Sequence, residues 1–127
     1  MKEYKEIQVA LLGLGTVGLG VYKVLQMQKE EMQHKIGTEI KIKKILVRNL
    51  EKAAGKIEDA SVLTDSWQEI VNDDEIQIVI EVMGGMEPAR TYIMEAMQAG
   101  KQVVTANKDL IAADGKELMD QAKKSGC

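Results

Sequence analysis

At 127 residues, with 45% hydrophobic and 29% charged side chains, the chain has the composition of one globular domain large enough for a real core. A net charge of −3 argues against a nucleic-acid surface, and no stretch is long enough to cross a bilayer. The single cysteine, Cys127, permits no internal disulfide and fits a reducing cytoplasm, while the lack of Phe leaves Leu, Ile, Val and eight Met to fill the interior.

The first segment could pass for a leader, but Glu3 and Glu6 interrupt it, and it reads as strand one. The run from Ile7 to Leu12 goes straight into Gly13-Leu14-Gly15-Thr16-Val17-Gly18 and then into a helix-like stretch. A strand, a tight glycine turn and a helix start give this GxGxxG pattern its meaning as a dinucleotide fingerprint. Gly13 allows the sharp turn, Gly15 removes a Cβ that would hold a pyrophosphate off the backbone, and Gly18 lets helix and strand pack closely. The free N–H groups and positive dipole end of the helix then face the phosphates. The competing reading is a glycine-rich turn without a ligand.

Val17, Val21, Val24 and Leu25 recur at helical spacing, so the helix is expected to run to about His34, a surface residue, and to stop at Gly37. Residues 39–47 alternate and then turn apolar, as a strand moving inward would, with Lys41, Lys43 and Lys44 on its exposed face. Residues 49–60 read as a short helix plus loop, and Ser61-Val62-Leu63-Thr64 as an edge strand. Asp65 or Ser66 is placed to cap a helix over Trp67, Ile70 and Val71. Asp73-Asp74 then reads as a solvated turn. Ile76 to Val82 is nearly continuous β-branched sequence, as in a parallel strand covered on both faces. Gly84-Gly85 ends it, Pro88 suits the first turn of the next helix, and Ile93, Met94 and Met97 are expected to face the sheet. Gly100 caps that helix, residues 101–105 form strand five, and a last helix broken near Gly115 ends at Gly126. The pattern is an α/β doubly wound parallel sheet, Rossmann-type, in one domain over 1–127. Such a sheet normally adds a sixth strand where Ser125-Gly126-Cys127 stands, so the chain is expected to be part of a longer enzyme, the alternative being a natural short protein.

Strand two ends at Val47-Arg48-Asn49, where an NAD site usually carries Asp or Glu for the ribose hydroxyls. Arg48 instead suits the 2′-phosphate of NADP, and Lys52 or Lys56 would add a second cation. NADP is favoured, with NAD possible; the bland alternative is a solvated surface arginine. Glu81, a carboxylate near the mouth of a buried strand, is expected to hydrogen-bond the loops there, since a buried charge needs partners.

Glu81-Val82-Met83-Gly84-Gly85, Glu87-Pro88-Ala89 and Val103-Val104-Thr105-Ala106-Asn107-Lys108, with the glycine fingerprint and Val47-Arg48-Asn49, together resemble homoserine dehydrogenase along essentially the whole chain. The resemblance implies the nucleotide-binding part of an enzyme that interconverts aspartate semialdehyde and homoserine with NADPH or NADH, on the route to threonine and methionine. It places the backbone amides of Leu14, Thr16 and Val17 against the pyrophosphate and Met83-Gly84 over the nicotinamide-side ribose. Thr105 joins the cofactor-binding set, and Lys108 lies by the nicotinamide and the substrate. It also implies that acid–base groups, substrate carboxylates and the main dimer contacts come from a following domain. This chain is then expected to bind nucleotide without turnover, in a full-length homodimer that takes a small-molecule substrate. No metal site is expected within these residues. Two other readings stay open. A glucose–fructose oxidoreductase type of Rossmann half would call for Glu-Lys-Pro where Ala106-Asn107-Lys108-Asp109 stands, and a non-enzymatic nucleotide sensor would need no hydride acceptor site.

Overall fold

A computed structural model describes the backbone of residues 5–36 and 38–127, and the side chains of 6–27 and 39–127. The expectations for His34 and Gly37 lie outside the described side chains and residues. Strand β1 (Lys5–Leu12) leads into helix α1 (Thr16–Ile36), followed by β2 (Thr38–Leu46), α2 (Leu50–Ala54) and a 3-10 turn (Ala60–Val62). Then come β3 (Leu63–Thr64), α3 (Trp67–Val71), β4 (Ile76–Glu81), α4 (Ala89–Gln98), β5 (Gln102–Thr105) and α5 (Lys108–Ser125). The five strands are all parallel, in the order β3-β2-β1-β4-β5, so the winding reverses between β1 and β4. This is the doubly wound sheet anticipated from the sequence, and the crevice at the carboxyl ends of β1 and β4 is where such sheets hold ligands.

Alternation along the strands sends neighbours to opposite faces. Leu11 and Ile45 pack under α1 and α2 with Leu14, Ile42 and Ala53, whereas Ala10, Leu12 and Leu46 meet Trp67 and Ile70 of α3 and Ala96 of α4. A third cluster joins Ala89, Ile93 and Met97 of α4 to Leu110 and Leu118 of α5. The expected sheet-facing side of α4 is shared: Ile93, Met94 and Met97 pack with Val103 of β5 and also with Leu110 and Leu118 of α5, and Ala96 and Tyr92 join the cluster over the central strands. Ala96 is fully buried, and its small side chain allows close approach; Tyr92 stacks on Trp67 at 4.5 Å between ring centroids.

The periodicity of α1 also misplaces two residues. Val21 and Leu25 join the core with Leu19 and Tyr22, but Val17 and Val24 are 57% and 51% exposed. The rotation of the helix is set by contact of Gly18 with the glycine turn, which leaves both valines turned outward. The expected strand at 61–64 shortens to Leu63–Thr64 because Asp59 accepts from the Ser61 N–H and hydroxyl, which winds 60–62 into a 3-10 turn. Ser66 takes the N-cap position of α3 without a side-chain capping bond; the Thr64 hydroxyl accepts its N–H and donates to Glu69. Asp114 breaks α5 next to Gly115, and Gly126 ends it in the left-handed region.

The pairing of β1 with β2 skips Lys43, a bulge that re-aims its side chain. Lys41 is exposed as expected, whereas Lys43 crosses under β1 to Asp73 at 2.7 Å and Glu75 at 2.6 Å. Asp73 is thus an ion-pair partner and not merely a solvated turn residue. Beside it, buried Lys101 donates to the carbonyls of Asp73 and Ile76, and burial pushes its ammonium pKa down. These bonds close the amino end of β4, opposite the ligand crevice.

The Lys43 bond holds the Asp73 carboxyl below its ordinary 3.8, and the Asp73 bond holds Lys43 above 10.5. The pair therefore stabilises fully between those ordinary values, and its contribution is lost as pH falls through the folded Asp73 value or rises through that of Lys43. Asp73→Asn should cost about 1 kcal/mol near neutrality. In urea unfolding, the gap between the chain and the variant should hold steady across mid pH and close in strong acid.

Candidate functional site

The crevice at the carboxyl ends of the strands has two connected parts. The first, about 390 Å³, lies between the glycine turn, the end of β2 and α2, and its lining includes Gly13, Leu14, Gly15, Arg48, Asn49, Lys52 and Lys56. The second, about 320 Å³, lies between the start of α1, the 81–84 segment and the 106–107 segment. Gly15, Val82 and Met83 line both, so an extended ligand would cross the glycine turn and pass over Met83.

The glycine turn is held from three sides. The Gly13 N–H donates to the Leu46 carbonyl at 2.9 Å, the Val82 N–H reaches the Leu12 carbonyl at 3.0 Å, and Lys56 Nζ donates to the Leu14 carbonyl at 3.0 Å. Gly13 needs φ +105°, and a Cβ there would press on the Met83 backbone at 3.3 Å. A Cβ on Gly18 would stand 2.3 Å from the Gly13 carbonyl oxygen, so helix and turn meet here with no space for a side chain. A Cβ on Gly15 would meet nothing within 4 Å, and it would project from the turn into the crevice that Gly15 lines. The first N–H groups of α1, at Thr16 and Val17, have no carbonyl four residues back within the helix and open on the same space. An open backbone cradle at a helix start fits a pyrophosphate. Leu14 contributes backbone only, since its side chain is buried in the core.

Arg48 is exposed, and among the described residues it takes no carboxylate partner. Asn49 caps α2: its side-chain oxygen accepts the Lys52 N–H at 3.0 Å. An aspartate would cap equally well, but the asparagine keeps the lining of this part free of negative charge beside Arg48, Lys52 and Lys56.

The second part is built around Glu81, which is fully buried. One carboxylate oxygen accepts the N–H groups of Met83 at 2.8 Å and Gly84 at 3.3 Å; the other accepts the Thr105 hydroxyl at 2.5 Å. This is the loop-bonding role expected of it. Gly84 and Gly85 turn the chain away at positive φ, and Asn107 ties that turn to α5. Its amide donates to the Gly85 carbonyl at 2.5 Å while its oxygen caps the Leu110 N–H at 3.1 Å.

The sequence-derived candidates divide accordingly. Gly13, Leu14, Gly15, Arg48 and Met83 line the first part, and Gly15, Thr16, Val17, Met83 and Gly84 the second. Gly18 stands behind the turn. Thr105 lines neither part; its hydroxyl is spent on Glu81 and on the Asn107 N–H. Lys108 is the exposed first residue of α5, adjacent to Asn107 but outside both linings. Ala106 and Asn107 line the second part without having been singled out as site residues. An asparagine directly before a helix that opens Lys108-Asp109 is the cap signal that marks Asn107.

Residues 13–127 match the family model for the NAD-binding domain of homoserine dehydrogenase. The chain belongs to the homoserine dehydrogenase family. The homoserine dehydrogenase of Bacillus subtilis is 45% identical over 97% of this chain, and that of Lactococcus lactis 45% identical over 93%. In each case the chain spans 28% of the relative's length. Among solved structures, the homoserine dehydrogenase of Thiobacillus denitrificans superposes with TM-score 0.87 at 46% identity, covering 96% of this chain and 28% of that one. A hyperthermophilic archaeal homoserine dehydrogenase in complex with NADPH superposes at 0.76 with 25% identity, covering 96% and 42%. The crevice is thus that of a nicotinamide-dinucleotide-binding domain of homoserine dehydrogenase type. No described helix is long and apolar enough to cross a membrane.

The Gly13–Gly18 contact makes a sharp prediction. Gly18→Ala should destabilise the chain by about 3 kcal/mol through overpacking against backbone. Gly20→Ala, where a Cβ meets nothing within 4 Å, should instead stabilise α1 by about 0.5–1 kcal/mol. Urea unfolding of the two variants reads both signs.

Proposed function

We propose that this chain holds NADP for a homoserine dehydrogenase reaction, the interconversion of L-homoserine and L-aspartate 4-semialdehyde in threonine and methionine biosynthesis. The observation that carries the NADP preference is the charge of the first part of the crevice. Arg48, Lys52 and Lys56 line it together, and no carboxylate does. A ribose with two free hydroxyls is best held by an acidic acceptor, whereas a 2′-phosphate is best held by a guanidinium fork and ammonium groups. NAD would bind the same cradle more weakly.

When bound, NADPH would supply the hydride that, with a proton on the carbonyl oxygen, converts the aldehyde to the alcohol. The residues of this chain bind and orient the cofactor. The glycine turn and the start of α1 hold its pyrophosphate, Arg48 with the two lysines fixes one end, and the Met83–Gly84 turn supports the other. Lys108 stands at the carboxyl end of β5, where a cation would hold or polarise a carbonyl substrate. Substrate orientation and the proton relay need further groups, which we assign to sequence beyond these residues. The 127 residues by themselves should bind without turnover. The full-length enzyme is proposed to be a cytoplasmic homodimer.

Calorimetric titration of the chain with NADP and NAD tests the assignment. Arg48→Ala should lower NADP affinity about tenfold or more, as loss of a charge-assisted contact does, and should leave NAD affinity within about twofold. NADP binding should also weaken as salt rises. Equal binding of both cofactors, unchanged in the variant, would overturn the role of Arg48.

A further inference from the structure

The two parts of the crevice differ in sign. Arg48, Lys52 and Lys56 make the first cationic, whereas Glu81 is the one formally charged residue among those lining the second. The side-chain hydrogen bonds of Glu81 are all donated into its carboxylate, by the Met83 and Gly84 N–H groups and the Thr105 hydroxyl. The Thr105 hydroxyl also accepts the Asn107 N–H at 3.0 Å and donates its own proton to Glu81. An acceptor-only pattern is that of an ionised carboxylate. None of these partners carries a charge, so hydrogen bonds satisfy the anion without neutralising it.

We infer that Glu81 makes this domain discriminate between the two redox states of its cofactor, holding the oxidised form more tightly by the charge it places under the nicotinamide side of the crevice. The inference rests on the dinucleotide reading above. With the pyrophosphate at the start of α1 and the 2′-phosphate at Arg48, the second part of the crevice receives the nicotinamide. The oxidised ring bears a positive charge that the reduced ring lacks, and the rest of the cofactor is the same in both. Arg48, Lys52, Lys56 and the glycine turn therefore contribute alike to the two affinities. A buried anion in the floor of the nicotinamide part contributes unequally, since its attraction for a positive ring is little screened by water. Glu81 is a positioning residue in a second sense as well. It pins the Met83–Gly84 turn and Thr105 at once, so the walls and the charge of this part share one side chain.

The two roles separate experimentally. Glu81→Gln keeps the size of the side chain: its oxygen can accept from Met83 and Gly84, and its amide can donate to Thr105 if that hydroxyl turns. The charge is lost and the Thr105 bond reverses, a change for which Thr105→Val is the control. Thr105→Val does the reverse, removing a bond and keeping the charge. Dissociation constants of NADP+ and NADPH, measured by calorimetry on the chain and both variants, give the ratio of oxidised to reduced affinity. A loosened turn weakens both forms together and leaves that ratio alone. Glu81→Gln should lower it on the order of tenfold, and Thr105→Val should leave it within about twofold, a much smaller change than loss of a buried charge brings. An unchanged ratio in Glu81→Gln, with both forms still binding, would overturn the inference and leave the dinucleotide reading intact. Binding of neither form by the unaltered chain would overturn both. Should Glu81→Gln fail to fold by circular dichroism, Glu81→Asp joins Thr105→Val as a charge-retaining variant. Both must then reproduce the unaltered ratio, and a ratio that shifts with them would assign the effect to loop geometry and overturn the role of charge.

Discussion

The contact between Gly18 and the carbonyl of Gly13 governs more of this molecule than its size implies. A Cβ at Gly18 would lie 2.3 Å from that oxygen, so the first turn of α1 can approach the tip of β1 only with hydrogen in that place. The contact fixes the height and rotation of the helix over the sheet. The height puts the N–H groups of Thr16 and Val17 at the crevice. The rotation sends Leu19, Tyr22 and Leu25 into the core and leaves Val17 and Val24 outside. The glycine turn in turn rests on Leu46, Val82 and Lys56. Three strands and the segment that follows α2 therefore converge on a few backbone atoms, and the crevice follows from that convergence.

Around this fixed point the charges are sorted. On one side Asn49 caps α2 without adding an anion, which keeps the surroundings of Arg48, Lys52 and Lys56 cationic. On the other side Glu81 is buried among neutral donors beside the second part of the crevice. Burial of an ionised carboxylate is costly unless its lone pairs are filled. Here the donors are the chain segments that wall the second part of the crevice, so satisfying the carboxylate and building that wall are one event. At the opposite end of the sheet, Lys43, Asp73 and Lys101 close the amino ends of the strands. Those groups stabilise the domain away from any ligand.

Much of this was legible in the chain. The strand, Gly13-Leu14-Gly15 turn and helix start are local, and each glycine has a local or near-local reason. The β-branched run of β4 and the caps at Gly100 and Gly126 are equally local signals. Arg48 at the end of β2 could be placed because β2 must pair with β1. Less legible was anything that depends on which neighbour a side chain meets. Met97 and Ile93 have the spacing of a core face, but spacing does not distinguish the sheet from α5 as the other wall. Asp73 looked solvated because its partner, Lys43, is thirty residues earlier and reaches it through a bulge that no period announces.

The sequence by itself determined the element order, the parallel sheet and the dinucleotide turn, because periodicity and glycine conformation act within a few residues. Only the tertiary structure decided how Thr105 and Lys108 stand to the crevice. Thr105 lies across from Glu81 on the neighbouring strand, in direct register, and its hydroxyl is therefore consumed by that carboxylate. Lys108 begins a helix whose direction Asn107 sets by holding the Gly85 carbonyl. Both facts depend on strand register and loop docking. Those arise from contacts between residues far apart in the chain, which the pattern along it does not encode.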